Sequence, residues 1–173
     1  MGLKYFSMFT GIGGFEYGIK QAYNHKYAAE VEQDREGRDG TIDESRPLLC
    51  STTNAPLCVG YSEIDKYAIA TYESHFGGTK NYGDATKIDP NELPDFDMLC
   101  GGFPCQAFSI AGKRGGFSDT RGTLFFDVAR IVKVKRPSIV WLENVKGLLN
   151  HEGGKTFSII IQTLEELGYD VQW

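Results

Sequence analysis

Lys4-Tyr5-Phe6-Ser7-Met8-Phe9, then Thr10-Gly11-Ile12-Gly13-Gly14, then Phe15, Ile19, Ala22 and Tyr23 at helical spacing, is the stretch on which the fold turns. It predicts a short apolar strand over Lys4–Phe9, a glycine turn and a helix. In open α/β sheets that order puts the turn outside the carboxyl end of a strand, where such sheets bind their ligands. The glycines let backbone approach a ligand, and the start of the helix offers N–H groups with no partner. The dinucleotide fingerprint G-x-G-x-x-G is not completed, because Glu16 stands where its last glycine belongs. The turn alone does not name its ligand.

The same alternation continues outward. Leu57–Tyr61 predicts a second strand, closing on Ser62-Glu63-Ile64-Asp65, and Tyr67, Ala68, Ala70, Thr71 and Phe76 mark the helix after it. Asp97–Cys100 and Ile139–Leu142 predict two more strands, with a helix centred on Phe125–Val134 between them. A last helix, Lys155–Leu167, stops at Gly168, and Tyr169–Trp173 reads as the start of another strand. Strands alternating with helices of this length imply an α/β fold with a mostly parallel sheet covered on both faces. Residues 26–56 break the pattern. They are polar, carry little periodicity and read as an insertion or a disordered excursion.

The third strand runs into Gly101-Gly102-Phe103-Pro104-Cys105-Gln106-Ala107-Phe108-Ser109. This places a thiol on a turn shaped by glycine and proline, just past a strand, where α/β sheets put their chemistry. Pro104 fixes φ beside the thiol, and Gly101 and Gly102 permit close backbone approach. The competing reading is a small apolar cysteine in the core.

Composition bounds the remaining possibilities. A chain of 173 residues, 41% hydrophobic and 24% charged, has room for one domain with a substantial core. No apolar run approaches the roughly 20 residues that span a bilayer. The first residues lack a secretory signal, and Phe6 rules out the myristoylation pattern at Gly2. The chain therefore reads as intracellular, with Cys50, Cys58, Cys100 and Cys105 reduced and at no metal-ligand spacing. The net charge of −5 counts against a nucleic-acid partner. Between Cys105 and Arg136, however, Lys113, Arg114, Arg121, Arg130, Lys133, Lys135 and Arg136 face only Asp119 and Asp127. Such a local basic surplus suits a phosphate-bearing substrate, or else a solvated surface.

Three carboxylates fall at element ends. Glu63 ends the second strand, where an acid can accept both hydroxyls of a ribose, although it also reads as a helix-opening residue. Asp84, in Gly83-Asp84-Ala85-Thr86, can accept from the amino group of an adenine or simply serve a turn. Glu143, in Trp141-Leu142-Glu143-Asn144-Val145, ends an apolar strand. Burial there would raise its pKa and let it donate a proton to a ring nitrogen, whereas the plainer reading is a helix cap.

Phe9-Thr10-Gly11-Ile12-Gly13-Gly14-Phe15, Gly101-Gly102-Phe103-Pro104-Cys105-Gln106, Arg121-Gly122-Thr123-Leu124-Phe125-Phe126 and Glu143-Asn144-Val145 together resemble the signature motifs of the DNA (cytosine-5-)-methyltransferases, in the family's order. The resemblance runs from about Lys4 to Trp173, interrupted by the insertion. It implies a Rossmann-like class I methyltransferase sheet, truncated at its C-terminal side, as part of an S-adenosylmethionine-dependent catalytic domain spanning residues 1–173. It implies methyl transfer to C5 of cytosine in duplex DNA with the base flipped out of the helix. Cys105 would attack C6 and Glu143 would hold N3 and the exocyclic amine. Phe9, Gly11, Gly13 and Gly14 would border the donor, with Glu63 at its ribose, Asp84 at its adenine, and Pro104 and Leu124 completing the pocket.

The segment Ile110–Arg121 corresponds to a family loop that closes over DNA, with Gln106, Ser109, Lys113, Arg114 and Arg121 as DNA contacts. The family's further strand, target-recognition domain and C-terminal helix have no counterpart here. A fragment, or half of a split enzyme completed by a second polypeptide, is therefore expected, with an open sheet edge near Trp173. The setting implied is the cytoplasm of a bacterium or a phage-infected cell, within a restriction-modification system. Two other readings stay open. One is a truncated module that binds the donor or a partner without turnover. The other is a nicotinamide- or flavin-linked oxidoreductase, suggested by the glycine turn and opposed by Pro104-Cys105.

Overall fold

Residues 2–35, 54–104 and 124–173 are described by the computed structural model. Four strands, β1 (Lys4–Met8), β2 (Leu57–Ser62), β3 (Met98–Gly102) and β4 (Ile139–Glu143), form a parallel sheet in the order β2-β1-β3-β4. Four helices alternate with them: α1 (Gly14–Arg35), α2 (Lys66–Phe76), α3 (Leu124–Lys135) and α4 (Lys155–Glu166). The expected α/β alternation forms, each shared boundary within about two residues, the scatter normal for element ends.

β1 is central and buried from Tyr5 to Met8, as a parallel strand with both faces covered must be. The two-residue side-chain period divides its neighbours. Phe6 and Met8 join Leu99 beneath Val128, Ile131 and Val132 of α3, while Tyr5 joins Met98, Cys100 and Ile19 on the α1 face. α3 and α4 thus cover one face and α1 the other, which is why a short strand can be so apolar.

After β2 the chain crosses to the far side of β1 to make β3, so the strand order reverses between β1 and β3. Crevices at such a reversal, above the carboxyl ends of the strands, are the ligand sites of open α/β sheets. Register aligns those ends: Met8 pairs with Ser62 and Gly101, and Gly102 pairs with Glu143. The residues after each strand therefore emerge along one edge.

Two expectations change. The strand predicted at Tyr169–Trp173 does not form. The segment instead spends its side chains on other elements. Tyr169 donates its hydroxyl to the Pro137 carbonyl at 2.6 Å, and the Trp173 ring meets Phe157 of α4 edge-on at 5.1 Å. A strand needs a ladder, and among the described residues β4 has one only with β3. Secondly, α1 runs on to Arg35, so its last ten residues lie inside the stretch set aside as an insertion; residues 36–53 lie outside the described residues. The stop of α4 at Gly168 does form, with φ of 87° and the Tyr169 amide reaching back to Leu164 at 3.1 Å.

Candidate functional site

The glycine turn leaves β1 through Phe9, whose φ of 53° is rare for a residue with a side chain. Phe9 is held there by packing against the clusters on the α3–α4 face. Thr10 then anchors the turn, donating its amide to the Ser62 carbonyl at 3.3 Å and its hydroxyl to the Ser7 hydroxyl at 3.1 Å. The three glycines do different things. At Gly11, with φ of 57°, a Cβ would point into open space, and the same is true of Gly14. At Gly13, with φ of 94°, a Cβ would lie 2.4 Å from the Phe76 ring, so this glycine serves the close approach of α2. Room for a ligand is therefore over Gly11 and Gly14.

Glu63 faces that room. One carboxylate oxygen accepts the Gly11 amide at 2.8 Å, and the other accepts the amides of Ile64 and Asp65 at 2.8 and 2.9 Å. The helix-opening reading of Glu63 is met, since it accepts local backbone amides, and the same carboxylate is tied to the glycine turn. Asn81, which the sequence did not single out, joins Glu63 to the Asp84 turn. Its side-chain oxygen accepts the amides of Glu63 and Gly83 at 3.2 and 2.9 Å, and its nitrogen donates to the Glu63 carbonyl. Asp84 caps the 3-10 turn Ala85–Lys87. The Thr86 hydroxyl and amide, donating at 2.8 and 3.0 Å, hold its carboxyl below the usual carboxylate range.

On the other side of the crevice β3 ends at Gly102, half-buried, with Phe103 buried and Pro104 exposed. The close approach at the two glycines is to protein. A Cβ on Gly101 would meet the Met8 carbonyl oxygen at 2.8 Å, and one on Gly102 would meet a Glu143 carboxylate oxygen at 3.0 Å. The Glu143 carboxyl thus lies over the end of β3. Asn144 secures it, donating to the Phe103 carbonyl at 2.7 Å. Glu143 is exposed, so the burial expected of it is not met among the described residues. β4 is an edge strand with alternate residues open to solvent, which explains the difference. Leu124 is half-buried as the first residue of α3. Cys105, Gln106, Ser109, Lys113, Arg114 and Arg121 lie outside the described residues.

The core reading of a cysteine applies to Cys100. It is fully buried in β3, its thiol directed at the Phe6 carbonyl, and burial pushes it up to about 12. Nor is the basic surplus a free phosphate-binding surface throughout. Arg130 donates to the carbonyls of Ile88 and Ala85, Lys135 to that of Leu93 and Arg136 to that of Leu167. These head groups are spent on backbone carbonyls, a use invisible in a count of charges.

A buried carboxyl was also missed. Glu16, 2% exposed in the first turn of α1, has one oxygen at 3.5 Å from the Tyr72 hydroxyl and the other without a partner among the described residues. Burial raises its pKa, against hydrogen bonds from its own amide, Ser7 and Tyr72. The missing glycine of the fingerprint was the signal. Where that glycine would bring helix and strand together, this chain inserts an acid.

Comparison with known proteins places this geometry. The sequence model of a family described as C-5 cytosine-specific DNA methylase matches residues 51–173. The Type II methyltransferase M1.ScrFI of Lactococcus lactis subsp. cremoris is 62% identical over 110 residues, covering 64% of this chain and 28% of that protein. The Type II methyltransferases M.NlaIV of Neisseria lactamica and M.HhaI of Haemophilus parahaemolyticus are 42% and 40% identical, covering 99% and 97% of this chain. The chain spans 36% and 41% of the length of those two. Among solved structures, the Dnmt2 methyltransferase of S. pombe superposes with a TM-score of 0.61 at 16% identity, over 98% of this chain and 42% of that one. At that identity the likeness speaks for the fold, which is the Rossmann-like methyltransferase sheet.

Proposed function

The chain belongs to the C-5 cytosine-specific DNA methylases, and on that premise we propose that it carries the donor site and the nucleophile of an enzyme methylating C5 of cytosine in duplex DNA. One observation carries the reading: Glu63 and the open glycine turn are hydrogen-bonded to each other beside the strand-order reversal, and Glu143 lies over the end of β3 on the same edge of the sheet.

The residues present fit S-adenosylmethionine. Gly11 and Gly14 leave open space above the start of a long helix, Glu63 offers a carboxylate to a ribose, and Asp84 stands beyond Asn81 for an adenine amine. Phe9, Pro104 and Leu124 complete the border in this reading, and Gly13 supports it by letting α2 pack close. When bound, the donor supplies an electrophilic sulfonium methyl group. Cytosine C5 is a poor nucleophile, and the chain's own residues remedy that. The Cys105 thiolate forms a bond to C6, pushing the ring electrons toward C5 while Glu143 shares a proton with N3. Once C5 is methylated, removal of its proton returns the pair to the ring and expels the thiolate. Both ring faces must be open for this, so the cytosine is flipped out at a cost of a few kcal/mol. Gln106, Ser109, Lys113, Arg114 and Arg121 contact the DNA in this scheme.

The chain spans 36% and 41% of the length of M.NlaIV and M.HhaI, so the test adds the remaining length of such a relative as a complementing polypeptide. The test is a duplex containing 5-fluorocytosine, incubated with S-adenosylmethionine and the complementing polypeptide. A covalent adduct mapped to Cys105, lost in Cys105→Ser, is expected. Its absence from a complex that binds both donor and duplex would leave only a donor-binding module.

A further inference from the structure

α3 carries one guanidinium for which the reaction has no use. Arg130 reaches from α3 to the segment beyond β2. There Nη1 donates to the Ile88 carbonyl at 2.6 Å and Nη2 to the Ala85 carbonyl at 3.0 Å. Asp127, one turn earlier, accepts from Nη2 at 3.1 Å and so braces the head group. A guanidinium is a rigid planar fork, and two carbonyls on one fork fix orientation as well as distance.

The backbone so held is the 3-10 turn Ala85–Lys87 and the residue after it, and Asp84 is the cap of that turn. From the opposite flank the turn is tied to β2, by Asn81 on the Gly83 amide and by the Ser62 hydroxyl on the Gly83 carbonyl at 2.7 Å. The Asp84 carboxylate is thus suspended between two anchors, one at the Glu63 end and one on α3. Among the described residues Arg130 is the charged group of the second, while the carboxylate itself meets the Thr86 amide and hydroxyl and, at 3.3 Å, the Lys87 ammonium. A purely packing role does not account for it. The Arg130 side chain is 37% exposed, too open for a group held by packing, while Ala85 and Ile88, whose carbonyls it takes, are buried.

We propose that Arg130 is a positioning residue of the donor's adenine subsite: through the Ala85–Ile88 backbone it sets the Asp84 carboxylate to accept the exocyclic amine of the base. This rests on the reading of Asp84 given above. It also links that subsite mechanically to α3, the helix that begins at Leu124.

The test is calorimetry of the chain with two product-like ligands, S-adenosylhomocysteine and S-inosylhomocysteine, which differ in that amine. The wild-type chain prefers the adenine ligand by about tenfold, the scale of one hydrogen bond to a charged acceptor. Arg130→Met removes most of the preference while leaving affinity for the inosine ligand nearly unchanged. Arg130→Lys, which keeps the charge and loses the fork, removes most of it too. Asp127→Asn, which keeps the shape of the bracing group and loses its charge, gives an intermediate ratio and carries the test if the Arg130 variants do not fold. A preference abolished by Asp84→Ala and retained in folded Arg130 variants overturns the inference alone. Equal loss of affinity for both ligands also overturns it, leaving Arg130 a structural residue. A wild-type chain that binds both ligands without preference overturns the adenine reading of Asp84 itself.

Discussion

The Glu63 carboxylate accepts the Gly11 amide at 2.8 Å, so the acid that ends β2 and the turn that ends β1 form one unit. Its other oxygen is taken by the amides of Ile64 and Asp65. A group that orders three backbone amides is already aimed before any ligand arrives, and that pre-organisation lowers the cost of binding.

Replacing that group tests the proposed donor site directly. Glu63→Gln keeps the shape and loses the charge, and S-adenosylhomocysteine affinity falls about tenfold as charge-assisted hydrogen bonds become neutral. Glu63→Ala, which also frees Gly11, loses more. Isothermal calorimetry reads both; unchanged affinity in the alanine variant would remove Glu63 from the site.

The glycines separate stability from binding. Gly13→Ala forces a Cβ to within 2.4 Å of the Phe76 ring at a left-handed φ, and should lower stability by about 2–3 kcal/mol. Gly11→Ala meets no atom within 4 Å, so only the backbone strain of about 1–2 kcal/mol remains. The larger effect of Gly11→Ala is on donor affinity. Thermal melts beside ligand titrations distinguish the two, and equal melting losses would contradict the assignment.

Thiol chemistry should divide the cysteines. Burial raises Cys58 and pushes Cys100 up to about 12, which keeps both as thiols near neutral pH. Iodoacetamide at about pH 8 therefore spares them in the folded chain and reaches them after denaturation. With Cys105 as the proposed nucleophile, peptide mass mapping should find it alkylated first. Earlier labelling of Cys100 would exclude its burial in β3.

Glu16 predicts the direction of the pH dependence. Its folded pKa is raised, chiefly by burial, so the folded chain holds this proton more tightly than the unfolded one. The corresponding stability is fully present below the unfolded carboxyl value of about 4.3 and is lost as pH rises through the folded value. Glu16→Gln carries no such proton. Its melting temperature should gain on the wild type as pH goes from about 5 to about 8. Parallel profiles across that range would show that Glu16 does not ionise there in the folded chain.

Much of the fold was legible because parallel strands with both faces covered are apolar throughout, and because helices announce themselves by period and stop signals. Lys4–Met8 and Met98–Gly102, the two central strands, show this, whereas the edge strand Ile139–Glu143 leaves alternate residues open to solvent. Tyr169–Trp173 has the composition of a strand and does not become one, since a ladder is a property of two segments and composition reports on one. Polar residues after Lys26 hid the continuation of α1, because a stretch with little apolar periodicity gives no helical face to read.

The site divides along the same line. Sequence by itself determined which chemical groups follow each strand: the glycine turn, Glu63, Pro104-Cys105 and Glu143-Asn144, set by local order and by chain direction in a parallel sheet. Only the tertiary structure decided which of these meet. It ties Glu63 to Gly11, lays Glu143 over Gly102, gives Gly13 to Phe76 and turns Arg130 from a surface charge into a clamp on the Asp84 turn. Those pairings come from register and helix packing between segments distant in the chain, where a rise of a few ångströms chooses the partner.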